Sequence, residues 1–98
     1  MKRRGPPWIT GQDPLHHEMY VAYGYKRQSC LRRGEGWHLT WPQYRDLWLP
    51  HWHQRGVQAQ SLCLSRCDFE DTWHIDNVQF ETRRDHSRRV RQTFGTKQ

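Results

Sequence analysis

Between Leu62 and Phe94 the hydrophobic period of the chain changes. Leu62, Leu64 and Arg66 alternate with Cys63, Ser65 and Cys67, and Val78 and Phe80 alternate with Asn77, Gln79 and Glu81. A period of two sends alternate side chains to opposite faces, so residues 62–66 and 77–82 read as hairpin strands with one buried face each. The polar run between them reads as the turn. From about Arg83 the spacing becomes helical, with Val90 and Phe94 four apart and arginines on the remaining faces. The predicted unit is strand, strand, helix.

Upstream the period is helical from the start. Leu15, Met19, Ala22, Tyr23, Lys26 and Cys30 share one stripe, with the Lys26 stem lying along it. Asp13 as N-cap and Pro14 at the first helical position open this helix, and Gly34 closes it in a left-handed conformation. Gly24 inside it costs about 1 kcal/mol against Ala and would permit a close crossing by another element. Thr40, Pro42 and Gln43 form a capping-box pattern that predicts a second helix over 41–49, stopped by Pro50. Its buried face is Trp41, Tyr44, Leu47 and Trp48, joined by Trp37 and Leu39, and residues 51–56 read as a loop or broken turn. The expected fold is therefore α+β, two N-terminal helices packed on a β-hairpin followed by a basic C-terminal helix, in one domain over residues 13–94. Residues 1–12 read as a basic arm and 95–98 as a disordered tail.

Composition supports a folded chain. A mean hydropathy of −1.18 and 27% charged residues would suit disorder, but six Trp, four Tyr and three Phe are spread along 98 residues. Each aromatic can bury roughly 150–250 Å², enough for a few of them to build a small core. Net charge is +6 with a pI near 9.7, and arginine far outnumbers lysine. Planar guanidinium groups match phosphates bidentately and stack on bases, so the balance favours nucleic acid. The segment Arg83, Arg84, Arg88, Arg89 and Arg91 is offset within the run only by Asp85, and its self-repulsion is relieved by phosphate. Arg27, Arg32 and Arg33 would flank it from the first helix. No apolar run approaches the roughly 20 residues of a membrane span, and no signal peptide is read, so no membrane partner is expected. Three cysteines suit reduced thiols in a cytoplasm. Cys63 and Cys67 with His51 and His53 invite zinc, but side chains on a strand point in parallel, so structural zinc is not expected.

The run Leu64-Ser65-Arg66-Cys67-Asp68, then Trp73, Asp76-Asn77-Val78 and a basic stretch to His86 resembles HNH (His-Me finger) domains. More narrowly it is similar to the degenerate branch in small proteins of tailed bacteriophages. Asn77 and His86 stand nine residues apart, the separation those motifs carry between the central Asn and the final His or Asn. Gln28, Arg32-Arg33-Gly34-Glu35, Trp37, Leu39-Thr40, the aromatics of Tyr44 to Trp48 and Arg55-Gly56 resemble what precedes the hairpin there. The likeness spans about residues 13–91.

That resemblance implies a ββα frame that fits a DNA groove. It also implies a general-base His ending the first strand, one divalent cation (Mg or Mn) held beside it, and an Asn that bonds across the turn. Asn77 matches the structural Asn and His86 the metal ligand of the helix. The family's metal-binding Asp falls on Ser65 and its general base on Arg66. A hydroxyl is a poor sole ligand for a hard cation, and arginine stays protonated at any usable pH. Asp68, two residues beyond Arg66, would hold a cation with His86, and His74 in the turn would substitute as base. The catalytic candidates are thus Asp68, His74, Asn77 and His86, with Asp68 and His86 as metal ligands. Arg66 joins the phosphate-binding set. The expected function is a phage-encoded protein that binds double-stranded DNA in the host bacterial cytoplasm, with weak or degenerate nuclease chemistry. Two alternatives stay open: an active metal-dependent nicking endonuclease, and a small phage protein that binds and inhibits or redirects a host protein. The second would present partly exposed Trp8, Trp41, Trp48 and Trp52.

Overall fold

Local chemistry starts and stops the helices. Asp13 accepts a hydrogen bond from the Leu15 N–H at 2.9 Å and opens α1, Pro14–Arg32. Gly34, at φ 77°, turns the chain out of it. Thr40 accepts from Gln43 N, and the Gln43 side chain accepts from Thr40 N, so the capping box that opens α2 (Trp41–Trp48) is complete. The structure, a computed structural model, describes residues 13–94, and the arm and tail expected at 1–12 and 95–98 lie outside the described residues.

Past α2 the chain does not break at Pro50. It tightens into a 3₁₀ turn, Leu49–Gln54, because a proline near the start of a turn lacks only a donor that is unbonded there anyway. Strands β1 (Leu62–Arg66) and β2 (Val78–Thr82) then pair antiparallel, with Leu64 opposite Phe80 and Arg66 opposite Val78. Asn77 belongs to a short 3₁₀ turn, Ile75–Asn77, rather than to the strand. Helix α3, Arg83–Phe94, follows β2 directly. The layout is α+β, as expected: three helices and one two-stranded antiparallel hairpin among the described residues.

The hairpin is covered on both sides. Leu62, Leu64, Val78 and Phe80 meet the aromatic core on one face. Met19, Cys30, Leu39, Tyr44, Trp48, Leu64 and Trp73 are its buried members, with Tyr23, Trp37, Trp41 and Trp52 packed against them. Edge-on aromatic pairs recur, as in Trp48–Phe80 at 4.7 Å and Tyr23–Tyr44 at 5.3 Å between centroids. Trp48 is thus a core residue at 2% exposure, whereas Trp41 and Trp52 are partly exposed, as expected, while packing on that core; Trp8 lies outside the described residues. Leu15 ends the α1 stripe in solvent at 39% exposure.

One non-local strap ties the α1–α2 connection to the hairpin loop. His38 N donates to Trp73 O at 2.7 Å and Trp73 N to Gly36 O at 3.0 Å. Gly36 has φ 74°, and a Cβ there would lie 2.7 Å from Thr72 Cγ2. Gly24 shows the opposite: among the described residues nothing lies within 4 Å of its Cβ position and no element crosses α1 there, and the helix runs unbroken.

Candidate nucleic-acid interface and the adjoining cleft

Strand alternation leaves Glu81 on the face opposite the aromatic core, and α3 closes over it. Ser65 Oγ donates to Glu81 Oε2 at 2.6 Å, and His86 Nδ1 lies 2.7 Å from the same oxygen. Arg89 reaches both carboxylate oxygens, Nε to Oε1 at 3.2 Å and Nη2 to Oε2 at 2.9 Å. Its Nη2 also donates to Ser65 Oγ at 3.0 Å and Arg66 O at 2.7 Å, and its Nη1 to Cys67 O at 3.2 Å. Burial would raise the Glu81 carboxyl, but hydrogen bonds from Arg89, Ser65 and His86 outweigh it and hold the group at about 2.

A second buried cluster surrounds Arg66. Its Nη1 donates to Asp71 O at 2.9 Å, and its Nη2 lies 3.5 Å from Glu35 Oε2. The guanidinium carbon stands 5.6 Å from the Trp73 ring centroid, and the side chain is only 12% exposed. Glu35 also accepts from Arg33 Nε at 2.9 Å and from Trp73 Nε1 at 2.9 Å. Burial again pushes upward, and the bonds from Arg33 and Trp73 with the charges of Arg33 and Arg66 bring the Glu35 carboxyl to about 2. Arg66 and Arg89, both expected on phosphate, thus turn their donors inward, because the fold sets a carboxylate against each.

The four catalytic candidates do not converge on one site, although Asn77 bonds the backbone of Asp68. Asn77 is buried and fastens the hairpin loop: its Oδ1 accepts from Asp68 N at 2.9 Å, and its Nδ2 donates to Asp68 O at 3.1 Å and Thr72 O at 2.9 Å. Asp68 Oδ1 accepts from Glu70 N at 2.9 Å in the same exposed loop. His74 Nε2 lies 3.1 Å from Asp71 Oδ2, and that hydrogen bond holds the Asp71 carboxyl below its usual range. His86 faces Glu81. A cleft of about 290 Å³ runs between the clusters, lined by Lys26, Arg66, Phe69, Trp73, His86 and Phe94 among others. Asp68 is not on its wall, and Arg89 already sits on Glu81 beside His86. The residues present therefore do not fit the single-cation site that the resemblance implies. Among the described residues no three His, Cys, Asp or Glu side chains converge on a metal position.

What remains outward is on α3. At 100° per residue Arg84, Arg88 and Arg91 fall within about 60° of one another, on the side away from Arg89 and His86. All three are exposed. Arg88 Nη1 lies 3.6 Å from Asp85 Oδ1, both in solvent, and Arg84 and Arg91 form no ion pair among the described residues. Arg83 Nε donates to the Gly56 carbonyl. Arg27 and Arg32 are exposed on the C-terminal half of α1, while Arg33 is held by Glu35.

Three participants carried no signal of their part in the chain: Glu35 stood only in the run resembling what precedes the hairpin, Glu81 at an alternating strand position, and Phe69 unremarked between the strands. Phe69 lies under the Arg89 guanidinium at 4.2 Å and against Phe94 at 5.4 Å. Cys30, Cys63 and Cys67 are free thiols, and burial raises the Cys63 thiol. No helix among the described residues is long and apolar enough to cross a membrane. Comparison with protein-family models, with curated proteins and with solved structures finds no match in any of the three.

Proposed function

We propose that this chain is a double-stranded-DNA-binding protein that uses an HNH-like hairpin–helix frame as scaffold and does not cut. The observation that carries the reading is the division of its arginines. Arg66 and Arg89 neutralise buried carboxylates, whereas Arg84, Arg88 and Arg91 make one outward stripe with a single weak carboxylate contact. A helix with such a stripe suits the phosphates flanking a groove, which give affinity without sequence choice. The position of the general base is filled by a guanidinium that cannot accept a proton. The sequence resemblance to small tailed-phage proteins supports reading this activity in the cytoplasm of an infected bacterium.

Fluorescence anisotropy with a labelled duplex tests it. Binding at low salt should fall with a slope near 0.9 per neutralised phosphate, and Arg84→Gln/Arg88→Gln/Arg91→Gln should flatten that slope by roughly 2 to 3. Absence of duplex binding at low salt removes the proposal. Plasmid nicking with Mg²⁺ or Mn²⁺ that disappears in His86→Ala would make the protein an enzyme.

A further inference from the structure

Three cations from separate parts of the fold line one chamber beside the start of α3. Lys26 of α1, Arg55 of the segment after α2 and Arg83 line a chamber of about 100 Å³ whose walls include Tyr44, Trp48 and Leu64. The same three line an open groove of about 640 Å³, so groove and chamber adjoin.

Their partners are neutral: Lys26 Nζ stands 4.7 Å over the Trp73 ring, the Arg55 guanidinium 4.7 Å over Trp52, and Arg83 Nε donates to the Gly56 carbonyl. Among the described residues no carboxylate oxygen lies within 4.0 Å of Lys26, Arg55 or Arg83, although Arg33 on the wall of the outer groove is paired with Glu35. Residues 1–12 and 95–98 contain no Asp or Glu that could supply one. Glu18 stands on the wall of the outer groove, and Glu35 acts on Lys26 only at a distance. Burial lowers the Lys26 pKa, a cost that a bound anion relieves. Neutral donors are present as well. Burial pushes the Tyr44 hydroxyl up to about 12, with Arg55 pulling the other way, so it stays a donor. The Trp48 indole N–H is buried and has no partner among the described residues. The first N–H groups of α3 are spent on Ser61 O, Ala59 O and Thr82 Oγ1, so side chains would do the holding.

We propose that this chamber takes a phosphomonoester dianion, presented as the terminal phosphate of a DNA strand; the inference rests on the proposed DNA binding. An internal phosphate carries one charge and a sugar on each side, and a small chamber cannot pass a strand through. A strand end offers a group with two charges and one substituent, which matches three cations that line a small space without a carboxylate counterion. The arginine stripe of α3 would then hold the duplex while its first turn receives the end.

The test compares duplexes of one sequence carrying a 5′-phosphate, a 3′-phosphate or hydroxyls only, with inorganic phosphate in a thermal-shift assay alongside. A phosphorylated end should bind about tenfold tighter than the hydroxyl end. Arg55→Gln and Tyr44→Phe, the second of which keeps the core ring, should each shrink that preference while leaving hydroxyl-end binding unchanged. Equal affinity for all ends with no shift by inorganic phosphate overturns the inference, although the DNA reading survives. An Arg55-dependent shift by inorganic phosphate with no end preference overturns the strand-end assignment and makes the ligand a free phosphate. Failure to bind any duplex overturns the DNA reading separately.

Discussion

Glu81 and Arg89 lock the hairpin to the C-terminal helix through both carboxylate oxygens, at 3.2 and 2.9 Å. The pair is surrounded by further partners, since Ser65 and His86 also bond Glu81, and Arg89 also bonds the carbonyls that end β1. A guanidinium thus bridges strand and helix with a permanent positive charge.

Removing one side of that pair leaves the other buried without its counterion. Arg89→Met should destabilise the fold by roughly 3 kcal/mol, the scale for breaking a buried ion pair. Arg89→Met combined with Glu81→Leu should recover a large part of the loss, since no charge is then stranded. Urea midpoints of the two single variants, the double variant and the parent give the coupling. Additive losses would mean that the pair is not the strut described.

Acid should unlock the same places. Glu81 and Glu35 are both lowered from an ordinary 4.5 to about 2. A depressed carboxylate contributes stability that is fully present above its unfolded pKa and is lost as pH falls through the folded one, here between about 4.5 and 2. Each group is worth on the order of 2–3 kcal/mol across that window. Urea unfolding followed from pH 7 to pH 2 should show a steep decline there, and Glu81→Gln or Glu35→Gln should make it shallower from a lower start. An unchanged slope in both variants would contradict the assignment.

Asn77 has a structural task whether or not the chain ever cuts DNA. Its amide closes an 11-residue connection with one accepted and two donated hydrogen bonds, at 5% exposure. Asn77→Ala should cost roughly 2–4 kcal/mol, because buried backbone groups lose partners. Asn77→Asp keeps the acceptor but loses both donations, so it should fall close to the alanine variant. Thermal melts of the two variants decide it, and an aspartate as stable as the parent would refute the staple.

Much of this frame is legible in local chemistry. The caps at Asp13 and Thr40, the left-handed stop at Gly34 and the alternation of Leu62 to Arg66 each depend on residues within a few positions of one another, and the structure keeps them. The two carboxylate clusters are not legible that way. Glu35 meets Trp73 across 38 positions and Arg89 meets Ser65 across 24, so their pairing depends on how α1 and α3 dock. Period-two alternation placed Arg66 on the apolar face with Leu64 but left open what would neutralise it there. For the same reason Trp48 could be read as a surface residue, because its burial depends on Phe80 of β2, 32 positions away.

Two glycines separate backbone strain from propensity. Gly36 combines φ 74° with Thr72 Cγ2 at 2.7 Å from where a Cβ would stand, on the strap that holds Trp73. Gly24 lies in the α1 interior with nothing within 4 Å. Gly24→Ala should therefore stabilise the protein by about 1 kcal/mol, the helix-propensity difference. Gly36→Ala should destabilise it by roughly 1–3 kcal/mol through the left-handed backbone and the clash together. Thr72→Ser should restore part of the second loss, since it removes the methyl but leaves the backbone conformation. Full rescue would assign the whole cost to the clash, and no rescue would assign it to the backbone. Melting temperatures of Gly24→Ala, Gly36→Ala and Gly36→Ala/Thr72→Ser beside the parent separate the two contributions.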